Sequence, residues 1–152
     1  GEGVLYETLN IASKWKLPIL IIVENNRYAQ STKIEDTLAG KISDRFTAFG
    51  IETKEIETFN VSEVSKISFD QIKKVRKTKE PQCLVINTYR FVSHSKSDDG
   101  RDQNEIDEWK VNDPLIIAAN KLGSNIVNEI IIEVRDFISS EINKALEAEL
   151  AE

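Results

Sequence analysis

The chain has 152 residues, 40% of them apolar and 30% charged, with a formal net charge of −6. That length suits one domain with a real core, and the acidic balance gives a nucleic-acid role no general electrostatic support. No apolar run approaches the roughly 18 residues that a membrane span needs, and nothing at the amino end resembles a signal peptide.

The chain contains no Met and opens on Gly1-Glu2-Gly3, directly before a helical pattern, which predicts a fragment of a longer protein. Gly3 to Lys16 places Leu5, Leu9, Ala12 and Trp15 at helical spacing. Leu17 to Val23 is continuously apolar rather than alternating, so it predicts a strand buried on both faces. Thr32 to Lys41 reads as a charged loop, and Lys41 to Phe49 as a short helix ended by Gly50. Ile51 to Phe59 alternates weakly and carries many charges, which predicts a strand near a sheet edge.

Val61 to Thr78 is helical, with Val64, Ile67, Ile72 and Val75 as its apolar stripe. Its other face carries Lys66, Lys73, Lys74, Arg76 and Lys77. Such a tract is a phosphate footprint or a solvated face; cations near a helix carboxyl end suit the second reading. Glu80-Pro81-Gln82 breaks to a third strand, Cys83 to Thr88, and the single Cys83 reads as a buried structural thiol. Phe91 to Asp107 has no period and predicts a long loop, a kind of segment that is usually functional. Asp113-Pro114 starts a helix, and Asn125 to Glu149 forms a last amphipathic one. The alternation of helices and strands predicts an α/β fold with a mostly parallel sheet flanked by helices. Two segments result: residues 1–123, and a carboxyl-terminal amphipathic helix over 124–152 that packs on the first or on a partner.

Two places can carry chemistry. Leu17 to Val23 stops abruptly at Glu24-Asn25-Asn26-Arg27-Tyr28. That segment reads as a turn, since Asn tolerates turn conformations, or as oxygen donors for a hard cation such as Mg²⁺. The only histidine, His94, lies in the loop beyond the third strand. Both segments leave carboxyl ends of parallel strands, where open α/β sheets bind ligands. His94 beside Ser95 lacks a nucleophile elbow, which argues against a hydrolase triad. Chelation by His94 with Asp98 and Asp99 is a weaker alternative.

These pieces resemble the alpha subunit of the thiamine-diphosphate-dependent 2-oxo acid dehydrogenases, which act on pyruvate, branched-chain 2-oxo acids or acetoin. The matching phrases are Gly3-Val4-Leu5-Tyr6-Glu7-Thr8-Leu9-Asn10, Trp15-Lys16-Leu17-Pro18, Glu24-Asn25-Asn26-Arg27-Tyr28, Thr88-Tyr89-Arg90, His94-Ser95-Lys96-Ser97-Asp98 and Asp113-Pro114. They keep the family's order over nearly the whole chain. The resemblance implies the carboxyl-terminal part of a three-layer thiamine-diphosphate-binding domain. It implies Mg²⁺ held by Asn26 and by the backbone carbonyl of Tyr28. The Asp of the family's Gly-Asp-Gly motif would lie upstream, because Gly1-Glu2-Gly3 sits too close to Asn25-Asn26 to be that motif.

By the same resemblance His94 is the active-site loop histidine near the diphosphate, and Arg90 contacts the cofactor region and, with Asp98, orders the loop. Ser95 aligns with a serine phosphorylated in mitochondrial relatives. The implied reaction is oxidative decarboxylation of a 2-oxo acid with acyl transfer to lipoyl. The implied partners are a beta subunit and a lipoyl-bearing acyltransferase, with no nucleic acid and no membrane, in a hetero-oligomer or a homodimer. The implied compartment is a bacterial cytoplasm or the mitochondrial matrix. This chain alone is expected to be inactive; the alternative is a non-catalytic assembly domain that pairs with a beta subunit. Ser93 where the family often has Gly, a shortened loop at Asp99-Gly100-Arg101, and Glu57 to Asn60 in place of Asp-Gly-Asn-Asp are departures from the pattern.

Overall fold

A computed structural model describes residues 2–96 and 99–149. Helix α1 (Gly3–Lys14) follows the predicted stripe and buries Leu9 and Ala12 completely. The chain turns through Lys16 at φ 53° into strand β1 (Leu20–Asn25). After it, β2 (Tyr28–Ala29) pairs antiparallel with β3 (Thr32–Lys33), and the single turn α2 (Ile34–Thr37) follows. The reading of residues 32–41 as plain loop is corrected there, because two-residue strands are too short to show a period. Helix α3 (Ile42–Thr47) buries Phe46, and Gly50 at φ +73° allows the reversal that no branched residue would adopt without strain.

Strand β4 (Glu52–Glu57) leads into α4 (Val61–Thr78), whose limits coincide with the apolar stripe. The Asn60 side chain caps α4 by accepting from the Ser62 amide at 3.2 Å, and Lys79 ends it in the left-handed region at φ 58°. The basic face of α4 is mostly exposed, with Lys74 paired to Glu52. Strand β5 (Gln82–Asn87) is followed by the His94 loop and then α5 (Gln103–Lys110), capped by Asp102. The predicted long loop therefore ends earlier than Asp107: a capped helix starts inside it. Helix α6 (Pro114–Leu122) and, past Gly123 at φ +84°, helix α7 (Ser124–Glu147) complete the chain.

The sheet is wholly parallel, in the order β1-β5-β4, and Leu20, Gln82 and Glu52 lie level at its start. Its centre is β5, where Cys83, Leu84 and Val85 are completely buried. The expectation that β1 is buried on both faces is corrected. Among the described residues β1 bonds only to β5, and Ile22 is 52% exposed. An apolar run makes burial favourable, but neighbouring strands supply it. The other edge strand, β4, carries Glu52, Lys54, Glu55 and Glu57, the charged guard expected of an open edge. The β1 edge has no such guard.

Leu9, Phe46, Ile51, Cys83 and Val85 form the main core, with α1 and α3 packed over the sheet. Burial pushes the Cys83 thiol up to about 11. A disulfide reagent at neutral pH should therefore label Cys83 only after unfolding; stoichiometric labelling of the native chain would contradict its burial. The chain divides into one compact unit ending at Pro114 and a second beginning at Leu115. No single helix among the described residues is long and apolar enough to cross a membrane.

Candidate functional site

Three parallel strands end level, at Asn25, Asn87 and Glu57, and this end of the sheet is polar. Asn25 Nδ2 donates to Asn87 Oδ1 at 2.9 Å, and Asn87 Nδ2 donates to Glu55 at 3.0 Å. The chain then reverses through two side-chain-capped turns. Asn25 Oδ1 accepts from the Arg27 amide at 3.1 Å, and Asn26 Oδ1 accepts from the Tyr28 amide at 3.0 Å. Arg27 sits at φ 68° between them. Both readings of the Asn pair are thus compatible: each amide oxygen makes a turn, and each keeps a second lone pair.

The turn borders a cleft of about 640 Å³ that runs along β1. Ile21, Val23, Leu38 and Phe46 give it an apolar wall, and Asn25 and Asn26 a polar end. A mostly apolar hollow with a few convergent polar groups is what a cofactor or small molecule needs.

The β5 end delivers the second segment. Tyr89 is buried, and its ring stacks on Trp109 at 5.1 Å and meets Tyr28 edge-on at 6.2 Å. Both tyrosine hydroxyls donate to one carboxylate oxygen of Glu105, from Tyr28 at 2.5 Å and from Tyr89 at 2.9 Å. Those hydrogen bonds, led by that from Tyr28, hold the Glu105 carboxyl below its usual range. Burial, reinforced by Glu105, pushes the Tyr89 phenol up to about 12.

Arg101 ties the loop to this cluster. Its side chain is 2% exposed, and its guanidinium donates to the carbonyls of Arg90 and Val92. It also grips both oxygens of Asp99, at 2.7 and 2.6 Å, and lies 5.2 and 5.3 Å from the ring centres of Tyr28 and Tyr89. The hydrogen bond from Arg101 holds the Asp99 carboxyl down at about 2.

The structure brings several predicted residues together. Tyr28 and the loop share the Arg101–Glu105 cluster, and the Arg90 guanidinium donates to the Gln30 carbonyl between β2 and β3. The turn after β1 and the loop after β5 therefore meet on one side of the sheet. His94 and Ser95 are exposed on that loop, and His94 makes no hydrogen bond to Asn26 or Tyr28. Asp98 and Ser97 lie outside the described residues. The weaker chelation alternative loses a member, because Asp99 is engaged by Arg101.

Two residues that hold the loop and the tyrosines in place carry little signal in the sequence. In the sequence Arg101 belongs to a shortened loop and Glu105 to a stretch without a period. A single cation followed by an Asp-capped helix start was the available signal, and it does not say which aromatic rings the cation will cover.

The donor set at the Asn turn suits a hard cation in part. Asn26 Oδ1 and main-chain carbonyls are neutral oxygens of the kind Mg²⁺ accepts. Among the described residues no three His, Cys, Asp or Glu side chains converge. A cation at Asn26 would need further oxygens from a phosphate, from water or from a carboxylate elsewhere.

A family model described as the dehydrogenase E1 component matches residues 1–152. The chain belongs to the dehydrogenase E1 component family. Among curated relatives, this E1 chain is 36% identical over 119 residues to the pyruvate dehydrogenase E1 component subunit alpha of Zymomonas mobilis, covering 76% of the chain and 34% of that protein. It is 31% identical over 128 residues to the subunit of the same name from Rickettsia conorii, covering 82% of the chain and 39% of that protein. It is 31% identical over 164 residues to the mitochondrial one of Dictyostelium discoideum, covering 99% of the chain and 41% of that protein. The E1 chain thus spans between a third and about two fifths of the length of these relatives. Among solved structures, a transketolase from Campylobacter jejuni matches with a TM-score of 0.46 and 24% identity, over 57% of this chain and 13% of that one.

Proposed function

We propose that this E1 chain is the carboxyl-terminal part of the diphosphate-binding domain of a 2-oxo acid dehydrogenase alpha subunit. The observation that carries the reading is the Asn25–Tyr28 turn at the carboxyl end of β1, beside the loop from β5, in a chain matched end to end by the E1 family. Bound thiamine diphosphate would supply the electron sink that lets a 2-oxo acid lose carbon dioxide. Asn26 Oδ1 and the Tyr28 carbonyl are two neutral ligands for the Mg²⁺ that would hold its diphosphate. The β1 wall of the cleft, with Ile21 and Val23, would exclude water from it.

Arg90 joins the loop to the β2–β3 turn, and so sets where His94 can reach. His94 would offer an imidazole for proton transfer on the substrate side. A phosphate on Ser95 would add about −1.5 to −2 charges next to His94 and oppose an anionic substrate. A beta subunit, a lipoyl-bearing acyltransferase and a bacterial cytoplasm or mitochondrial matrix complete the proposal, by analogy with the alpha subunits that this chain is similar to.

The test is calorimetry with thiamine diphosphate and Mg²⁺, on this chain and on an alpha subunit that contains it, with and without Asn26→Ala. The isolated chain is expected to bind weakly and to show no decarboxylation. In the alpha subunit, Asn26→Ala should weaken Mg²⁺-dependent binding by about 10–100-fold, the usual range for disturbed metal surroundings. Unchanged affinity in the Asn26→Ala subunit would overturn the assignment.

A further inference from the structure

The turn that presents Asn26 contains one strained residue. Arg27 sits at φ 68°, in the left-handed region that L side chains rarely adopt, so its surroundings must hold it there. Both of its ends are held. The Arg27 guanidinium donates to Glu57 on β4 at 3.1 Å. The Arg27 amide donates to Asn25 Oδ1, also at 3.1 Å, and that oxygen is aimed by a relay that starts on β4 as well.

The first member of the relay is Glu55. Hydrogen bonds from Asn87 and then Ser43 hold its carboxyl below the usual range, so at neutral pH it only accepts. An acceptor there turns Asn87 Nδ2 toward Glu55, at 3.0 Å, and leaves Asn87 Oδ1 facing Asn25. Asn25 meets that oxygen with its own Nδ2 at 2.9 Å, and its Oδ1 is left for the Arg27 amide. One carboxylate thus decides which way two otherwise interchangeable amides point.

The relay crosses the whole sheet, from β4 through central β5 to the end of β1. Asn25 lines the same cleft as Ile21, Val23 and Asn26, so the relay ends where the turn begins. A charged edge guard needs only charge; it does not need Glu55 within hydrogen-bond reach of Asn87. We propose that Glu55, Asn87 and Glu57 are positioning residues for Asn26, which hold its turn in the shape that presents Asn26 Oδ1 to a divalent cation. None of the three touches cation or cofactor. Their purpose rests on the reading of Asn26 as a Mg²⁺ ligand, whereas the relay itself can be measured without any cofactor.

Amide exchange of the cofactor-free chain reads the relay. Asn87→Leu and Glu55→Leu should each speed exchange at Arg27 and Tyr28 by about three- to tenfold, the net contribution of one hydrogen bond. Glu55→Gln keeps an acceptor and should restore protection. Exchange at Leu84 and Val85, inside β5, should hold, which separates a loosened turn from a loosened fold. Glu55 is exposed, so Glu55→Leu carries the test if Asn87→Leu does not fold.

Calorimetry on an alpha subunit that contains the chain reads the purpose. Asn87→Leu should raise the Mg²⁺ concentration that half-saturates thiamine diphosphate binding by about tenfold, the low end for outer partners of a metal ligand. Affinity at saturating Mg²⁺ should match the wild type, a split that a general loss of stability does not give. Unchanged exchange at Arg27 in the leucine variants overturns the relay. Wild-type Mg²⁺ dependence in Asn87→Leu, where Asn26→Ala loses it, also overturns the relay and leaves the cofactor reading standing. If Asn26→Ala is itself without effect, the cofactor reading falls, and the positioning role with it.

Discussion

Arg101→Ala is expected to destabilise the first unit by about 3 kcal/mol and to release the segment from Tyr89 to Arg101, read as a lower unfolding midpoint and as faster amide exchange there. The size follows from what the guanidinium does. Its side chain is 2% exposed, and it satisfies the carbonyls of Arg90 and Val92, neutralises Asp99 and lies near the rings of Tyr28 and Tyr89. Alanine leaves the Arg90 carbonyl without its donor and the Asp99 carboxylate without its countercharge, while Arg101→Lys restores charge but not the fork, so it should recover only part of the loss. Acid should mimic the lesion. Asp99 sits at about 2 when folded against its usual 3.8, so its contribution is complete above pH 4 and is lost as the pH falls toward 2. An Arg101→Ala chain as stable as wild type, with unchanged exchange in the loop, would remove Arg101 from its ordering role.

Glu105→Ala should cost about 2–3 kcal/mol, because both tyrosine hydroxyls lose a charged acceptor while their rings stay buried. Glu105→Gln keeps an acceptor and should cost about half as much. The exposed Lys33 contact with Glu105 adds little. Alkali tests the same cluster from the other side. Tyr89 is pushed up to about 12 from a usual 10.0, so its contribution is complete below pH 10 and fades as the pH rises toward 12. A spectrophotometric phenol titration of the native chain that shows all three tyrosines ionising together near 10 would rule out this arrangement.

The route to the site was legible where local pattern suffices. The limits of α4 follow from its apolar stripe and the Pro81 break, and the charge on β4 marked it as an edge. Glu24-Asn25-Asn26-Arg27-Tyr28 and His94-Ser95 stood at strand ends, which is enough to predict that they face one side of a parallel sheet. The β2–β3 pair was not legible, since strands of two residues leave no alternation and depend on Arg27 and Gln30 adopting positive φ.

The identity of the central strand lay beyond local reading. Leu17 to Val23 and Cys83 to Ile86 are both continuous apolar runs, and only pairing with two neighbours makes β5 the buried one. Arg101 is the same lesson in side chains. Its Asp99 partner is local, but Tyr28 comes from a turn far earlier in the chain, and nothing in either segment announces the other. The sequence by itself determined the longer helices and the three strands of the parallel sheet, the polar strand ends and the family. The tertiary structure decided which strand is central, which cation orders the loop, and which helix face stays open, because each of those depends on contacts between distant segments rather than on a period within one.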